Sequence, residues 1–494
     1  MEISRLSQRS DAFLERDDFD QLLQQKKVGA YLGIDPTASS MHVGHLVPLM
    51  ALYWMFLFGH DTTTLLGAAT AIVGDPSGRT EARAKQEAEE RASYRKMLRK
   101  QLESLWGNFD NLFRENAAQR AWPRTDEKTL ANRLKNNMDW FEELPFIEVL
   151  RLIGPGMKIG TMLARDSVTQ RLDKGGMSLS EFCYPMMQAW DWWHLYRNQD
   201  IQVQIGGSDQ FGNILAGMDA VNYVRRNHRD PQYRDNEEQL KSLHRRPMGF
   251  TVPLLTNAAG LKFGKSAGNA ISLDKELTSP FDLYQFFLRT ADADVFRYLK
   301  LFTFESISDL ESLMSQHEKD PPKRLAQHKL AKEVLKLVHG LGEANVAESE
   351  HKSLFGAEAS TSKKSPGENA ASEPVALESS ALPDPIVHLA PWDTLGPVHA
   401  LLFQARLFPS GKAATDLIKA GGFYIGTQAT PASAEGSSTP ASSDGKGFTF
   451  VRCNDHMMRL SYDQHFINGN RLVFRLGKTK VRVIGVDPME EMEV

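Results

Sequence analysis

The chain has 494 residues, room for about three domains at roughly 150 residues each. Its 58 basic and 62 acidic side chains nearly cancel, and 41% hydrophobic with 24% charged residues is ordinary globular composition. That excludes a wholly disordered chain, a collagen-like chain and a polybasic tail, so any RNA contact must be local. Two cysteines, Cys183 and Cys453, exclude a disulfide framework and a cysteine-built zinc site and fit a reducing interior. The longest apolar run, Leu46 to Phe58, contains Pro48 and stops short of the ~20 residues a membrane span needs, so a soluble protein is expected.

Residues 1–20 mix Arg5, Arg9 and Arg16 with Glu2, Asp11, Glu15, Asp17, Asp18 and Asp20, unlike an Arg-rich, acid-poor transit peptide. Phe13, Leu14, Phe19, Leu22 and Leu23 recur near helical spacing and predict a short amphipathic helix before the first strand. From Val28 the pattern becomes strand (Val28 to Ile34), loop (Asp35 to Ser40), a long apolar helix from His42 to near Gly59, and a second strand at Thr62 to Leu66. The alternation returns at Ile201 to Ile205, followed by Gly206 and a helical stretch, and predicts an α/β domain with a parallel sheet, whose ligands belong at the carboxyl ends of the strands.

Leu102 to Asn136 is polar and helical, interrupted at Pro123, carries Arg114, Arg120, Arg124, Lys128, Arg133 and Lys135, and reads as an insertion. After Pro280 the pattern is helical, and His317 to His339 adds Lys319, Lys323, Arg324, Lys329, Lys332 and Lys336, which fits a solvated face or an RNA contact. Ala344 to Pro385 is rich in Ser, Ala, Glu and Pro and reads as a linker, and Thr427 to Lys446 reads as a disordered loop. Around it, Ser410 to Tyr424 reads helix then turn at Gly421 and Gly422, and Leu472 to Ile484 reads as a strand pair turning at Gly477. Seven Arg or Lys against two Asp between Val451 and Arg482 mark a small basic α+β module.

Gly33 to His45 reads GIDPTASSMHVGH: a strand end delivers Asp35, and a tight turn feeds His42 and His45 into a helix start. Helix N-termini present N–H groups and a positive dipole to polyphosphate, and Gly44 leaves room for close approach. Alone, the motif fits capping and packing histidines equally. Gly260 to Ser266, GLKFGKS, has one residue too few between its glycines for a Walker loop. Lys262 and Lys265 on such a loop suit a transferring triphosphate, or simply a Lys-rich surface.

Together the two motifs resemble the signatures of class I aminoacyl-tRNA synthetases. Tyr31 to Asp35 (YLGID), Gly74 to Gly78 (GDPSG), Ser180 to Asp191 (SEFCYPMMQAWD) and Gln204 to Asn213 (QIGGSDQFGN) resemble the bacterial-type tyrosyl enzymes in order and spacing, densely over Val28 to His339 and more loosely in the tail. The resemblance implies a Rossmann-like parallel-sheet catalytic domain at 28–279, with the insertion at 102–136 and the lysine loop at 260–268. An α-helical anticodon-binding domain at 280–343, a linker at 344–390 and an S4-like RNA-binding domain at 391–494 follow, after an N-terminal helical extension at 1–27.

For tyrosine, the resemblance implies that Tyr31 and Asp191 contact the phenol oxygen, that Asp75, Tyr184 and Gln188 hold the α-ammonium, and that Gln204 lines the same pocket. Rejecting phenylalanine requires buried groups that pair with the hydroxyl, a logic for which this enzyme family is itself the standard example. For ATP it implies Gly33, Asp35, Gly44, Gly207, Asp209 and Gln210 at the ribose and adenylate. Thr37 and His42 would stabilise the γ-phosphate in the transition state with His45 beside the nucleotide, and Arg79, Arg83, Lys262, Lys265 and Ser266 would contact the departing pyrophosphate. ATP with Mg²⁺, tRNA(Tyr) and a homodimer through the α/β domain are implied, without a protein-bound metal or organic cofactor and without a membrane. Leu32, Trp190 and Phe211 depart from the commoner residues of their motifs.

The N-terminal helix, the insertion and the linker resemble the mitochondrial enzymes of filamentous fungi, a subgroup in which added segments promote group I intron splicing, and imply a mitochondrial matrix protein without its presequence, or a bacterial cytoplasmic one. A pantetheine-type nucleotidyltransferase shares the HxGH logic but leaves GGSDQ and the tail unexplained. A tryptophan enzyme would need one acceptor for an indole N–H instead of partners for a phenol. A non-catalytic protein that binds structured RNA is disfavoured by the intact signatures.

Overall fold

The computed structural model describes residues 12–13, 16–77, 87–120, 133–173, 176–256, 271–355, 377–378, 387–390, 394, 396–405, 407–408, 410–428, 447–467, 470–476 and 480–487. They fall into two compact units, residues 1–279 with 290–341 and residues 280–289 with 342–494.

The first unit is built on a sheet whose strands are β1 (Ala12–Phe13), β2 (Gly29–Ile34), β3 (Asp61–Leu66), β4 (Leu134–Asn136), β5 (Ile201–Gly207) and β6 (Met248–Val252), in the order β1-β6-β5-β2-β3-β4. β2 to β6 run parallel, as expected, and β1 adds an antiparallel edge. The chain winds outward from β2 through β3 to β4, then returns to the other side of β2 with β5 and β6. The crevice at the carboxyl ends of β2 and β5 is therefore the switch point where such sheets hold ligands. β5 and β6 are buried along nearly their whole length, with Gln202, Gln204 and Thr251 buried among their apolar residues. The expected N-terminal helix forms as α1 (Arg16–Gln25), with Phe19 and Leu22 buried, but Ala12 and Phe13 pair with β6 as strand.

Helix α2 (Val43–Leu57) is buried along almost its whole length, while α3 (Thr70–Val73) follows β3. The stretch read as a polar insertion is different in kind. Helix α4 (Ala88–Arg120) starts before it, and Leu98, Leu102, Leu105, Phe109 and Leu112, at alternating spacings of four and three, are all buried. Trp106 and Phe109 pack on Tyr53 of α2, and Arg133 is buried over Phe56, paired with Asp110 at 2.6 Å. Charges on the outer face hid an ordinary core helix; residues 121–132 lie outside the described residues.

Asn108 of α4 donates to the carbonyls of Leu337 and Val338 at the end of α8 (Leu325–His339), which joins that helix to the first unit, whereas residues 280–289 belong to the second. The segment read as one helical domain, 280–343, is thus divided by its packing. Lys329 and Lys336 meet Glu333, and Lys329 also meets Glu305, so this part of the basic stretch is a paired surface.

The second unit holds a mixed sheet: β7 (Leu377–Glu378), β8 (Val387–Leu389), β9 (Phe423–Gln428), β10 (Gly447–Arg452), β11 (Phe466–Ile467), β12 (Arg471–Leu476) and β13 (Lys480–Val486), in the order β7-β10-β9-β12-β13-β8 with β11 on β12. The expected pair β12–β13 is antiparallel, and Gly421 takes the left-handed turn after the helix Gly411–Lys419 at φ +71°. Phe281 packs on Ile467, Val473, Val481 and Val483, and Arg482 pairs with Asp282, so residues 280–289 cover one face of this sheet. The expected linker begins later than residue 344, because Leu341–Phe355 is helical, and β8 lies inside its expected span; of the expected loop at 427–446, Thr427 and Gln428 are strand in β9 and 429–446 lie outside the described residues. Among the described residues no helix is long and apolar enough to cross a membrane.

Candidate active site

Tyr31 on β2 and Gln204 on β5 are direct register partners, so both side chains leave the same face of the sheet. Both are almost fully buried, and among the described residues neither the Tyr31 hydroxyl nor the Gln204 Oε1 has a hydrogen-bond partner. Burial, reinforced by the charge of Asp191, holds the Tyr31 phenol well above its ordinary range, so it remains a donor. Leu32, the next residue, is buried on the opposite face, away from this pocket.

Helix α5 (Met138–Phe141) follows β4, and α6 (Leu179–Gln199) presents Tyr184, Gln188 and Asp191 at spacings of four and three, hence on one side. The start of α6 is fixed by a capping box between Ser178 and Glu181 and by Arg171 on Glu181. Asp191 is buried and accepts from Asn137 Nδ2 at 3.1 Å and Trp140 Nε1 at 2.9 Å. Burial raises its carboxyl to about 8 against the opposing pull of those two bonds. Trp140 is itself held by His194, stacked on it at 4.2 Å, whose imidazole burial lowers to about 4 and so keeps neutral.

Asn137 extends this contact into a network. Its Nδ2 also donates to Thr70 Oγ1, and its Oδ1 accepts from the Ala69 N–H. Thr70 donates to Asp35 Oδ1 at 2.8 Å, and Tyr184 donates to Asp35 Oδ2 at 2.8 Å. One hydrogen-bonded path therefore runs from Tyr184 through Asp35, Thr70 and Asn137 to Asp191 and Trp140, joining the expected nucleotide and tyrosine groups. It depends on Gly67, where a Cβ would lie 2.0 Å from Asp35 Oδ1 and 2.5 Å from Thr70 Oγ1.

A second cluster gathers Asp75, Gln188 and Gln210 around Asn213 of α7 (Phe211–Asn227). Asp75 accepts from Gln210 at 2.7 Å and from the Ser77 N–H at 2.9 Å, while Asn213 Nδ2 lies within 3.3 Å of oxygens of Asp75, Ser77, Gln188 and Gln210. Arg165 Nη1 donates to Asn213 Oδ1 and fixes which way the amide faces. Gly207 leaves space for its own motif's Asp209, whose Oδ1 a Cβ would meet at 2.6 Å, and Gly33 has open space where a Cβ would stand.

At the start of α2, His42 Nδ1 accepts from the Gly44 N–H and His45 Nδ1 accepts from the His42 N–H, a capping box made of two imidazoles with rings 4.0 Å apart. The capping reading of this motif is correct for one edge of each ring. With Nδ1 accepting, the neutral tautomer carries its proton on Nε2, a donor suited to phosphate. The Thr37 N–H bonds the Asp35 carbonyl and shapes the preceding turn. Ile271 and Leu273 then return alongside: Val43 N–H donates to Ile271 O, and Leu273 N–H to Met41 O. Arg79, Arg83, Lys262, Lys265 and Ser266 lie outside the described residues.

Residues 23–356 match the family model for class I tRNA synthetases of the tryptophan and tyrosine type. The mitochondrial tyrosine–tRNA ligase of Podospora anserina is 38% identical over 484 residues, 95% of this chain and 72% of that relative. The chain belongs to the class I tyrosyl-tRNA synthetases. The mitochondrial ligase of Saccharomyces cerevisiae is 39% identical over 67% of this synthetase and 64% of its own length. The crystal structure of a C-terminally truncated Aspergillus nidulans mitochondrial tyrosyl-tRNA synthetase is 41% identical, with a TM-score of 0.64 over 72% of this chain and 94% of that one. The motif reading missed Gly67, Thr70, Asn137, Trp140, Arg165 and Asn213 in this synthetase. Only Asn213, the last residue of the quoted QIGGSDQFGN, carried a sequence signal.

Proposed function

We propose that this synthetase activates tyrosine with ATP to tyrosyl-adenylate and pyrophosphate, and then transfers the tyrosyl group to tRNA(Tyr). The observation that carries the substrate is the buried Tyr31 hydroxyl and Gln204 Oε1, side by side without partners, in the pocket of Asp191. A phenol supplies what that pocket lacks: an oxygen for Tyr31 to donate to and a hydroxyl proton for an acceptor. Phenylalanine would leave the buried groups unpaired at roughly 1–3 kcal/mol each.

Asp75 and Gln188, gathered around Asn213, suit the α-ammonium, with Tyr184 facing the same crevice from Asp35. Asp35, Asp209, Gln210 and the glycines Gly33, Gly44 and Gly207 suit the adenylate at the switch point. The tyrosine carboxylate attacks the α-phosphorus and the bond to pyrophosphate breaks, a step that needs position and charge stabilisation and no protein nucleophile. Thr37 and the Nε2 edges of His42 and His45 serve the phosphates, with Arg79, Arg83, Lys262, Lys265 and Ser266 by resemblance. Magnesium is proposed to enter with ATP.

Amino-acid-dependent exchange of pyrophosphate into ATP, with tyrosine, phenylalanine and tryptophan compared, tests this reading. Exchange with tyrosine alone, lost in Asp191→Ala, is the expected result; exchange with tryptophan would move the substrate to the neighbouring branch. The relatives named above support a mitochondrial site of action. Exposed Phe146, Ile147, Ile159, Leu163, Leu172 and Leu179 on successive helices of the first unit support a homodimer, which sedimentation would test. The helices of 290–341 and the second unit are proposed to bind tRNA as anticodon and S4-like parts.

A second role in group I intron splicing is favoured by β1 and the start of α1, which precede the family match and add to the sheet edge. Deleting residues 1–27 would remove Phe19 from Phe250 as well. Reversing exposed Arg16 and Asp17 is the cleaner test, and unchanged intron binding would end the idea that this helix serves it.

A further inference from the structure

One side chain outside both signature motifs joins the turn before His42 to Asp274. Gln101 on α4 accepts from the Met41 N–H at 3.0 Å and from Ser40 Oγ at 3.3 Å through Oε1. Through Nε2 it donates to the Ser39 carbonyl at 3.4 Å and to Asp274 Oδ2 at 3.3 Å. Ser39 to Met41 is the turn that leads into His42, and Asp274 lies just past the point where the chain returns from the lysine motif. Ser272 Oγ donates to Ser40 Oγ at 2.7 Å and accepts from the Asp274 N–H at 3.0 Å, so the two strands of chain are already stitched by backbone and hydroxyls. Gln101 spans both from outside, on a helix fixed by buried Leu98, Leu102 and Leu105.

We propose that Gln101 is a positioning residue for adenylate formation, holding the turn before His42 and the exit of the lysine segment in one register. This rests on the proposed reaction. The chemistry selects the residue: a primary amide offers an acceptor to Met41 and a donor to Asp274 in one plane. A carboxylate would face Asp274 with like charge, a lysine has no acceptor, and asparagine is one methylene shorter. Gln101 touches no reacting atom, so its loss acts through the placement of phosphate-binding groups, where an error of about 1 Å costs on the order of 100-fold.

The test compares the full-length protein with Gln101→Leu, Gln101→Glu, Asp274→Asn and the double variant Gln101→Glu with Asp274→Asn. The readouts are kcat and KM for ATP in pyrophosphate exchange, tyrosine binding at equilibrium without ATP, and Tm. Gln101→Leu is expected to lower kcat about 10- to 100-fold with tyrosine affinity changed less than about twofold. Gln101→Glu falls at least as far, and adding Asp274→Asn restores about tenfold or more, because the asparagine amide donates to the new carboxylate. An unchanged kcat in Gln101→Leu, parallel losses of kcat and tyrosine affinity, or a double variant no better than Gln101→Glu would each overturn the proposal. Absence of tyrosine-dependent exchange in the unsubstituted protein would instead overturn the reaction on which it rests.

Discussion

The half of the site proposed to face tyrosine and the half proposed to face phosphate are made by different means. Tyr31, Gln204, Asn137 and Asp191 are buried side chains on strands and helices or beside them, each placed by packing around it. His42 and His45 sit at the start of α2, and their geometry is set by the helix cap they form and by a two-residue bridge to Ile271 and Leu273. Selecting one hydroxyl requires polar atoms that water cannot satisfy. Handling a triphosphate requires donors that can be reached, and a turn supplies those without a core.

The contrast can be broken where the halves join. Gly67→Ala places a methyl group against Asp35 and Thr70, and is expected to cut exchange about 100-fold and lower stability by roughly 1–3 kcal/mol, read from initial rates and urea melts. His42→Asn sharpens it: asparagine is a good N-cap, so Tm should hold while kcat in exchange falls about 10- to 100-fold with the lost Nε2.

The deep half should also carry a pH signature. The ordinary aspartate value is 3.8 and that of Asp191 in the fold is about 8. Between them the native state holds a proton the unfolded chain has released, so this stabilisation is present at low pH and fades as pH rises through about 8. Asp191→Asn should flatten that slope in ligand-free melts from pH 4 to 9. The smallest effect is expected from Tyr31→Phe, which removes an unpaired buried hydroxyl and should raise ligand-free stability by about 1 kcal/mol while narrowing the preference for tyrosine over phenylalanine in exchange assays.

The parallel sheet, α2 and the residues around Tyr31, Asp35 and Asp191 are legible as strand ends and local motifs, because short-range pattern and the switch-point rule place them. Helix α4 was misread, since its apolar heptad of Leu98, Leu102, Leu105, Phe109 and Leu112 is diluted by charges on the outer face. That reading hid Asn108 with it, while Gln101 stands one residue before the stretch it covered. Gly67, Thr70 and Asn137 are single small or polar residues whose roles arise only when β3, β4 and α6 come together, so no local spacing marks them.

In the path from Tyr184 to Trp140 every bond has an assigned direction. Asn137 spends both amide hydrogens, on Thr70 and Asp191, and its oxygen on the Ala69 N–H, while Thr70 donates to Asp35 and accepts from Asn137. The Asn137 amide is thereby fully committed before a substrate arrives, whereas the Thr70 hydroxyl has a second acceptor in the Gly67 carbonyl at 3.1 Å. The cost of orienting these dipoles is met during folding, and a ligand that fits them loses little affinity to reorganisation or to ordering entropy. The Asp191 side of the proposed tyrosine pocket therefore behaves as a fixed gauge, because the Asn137 amide that holds it has no second arrangement to offer a poor match.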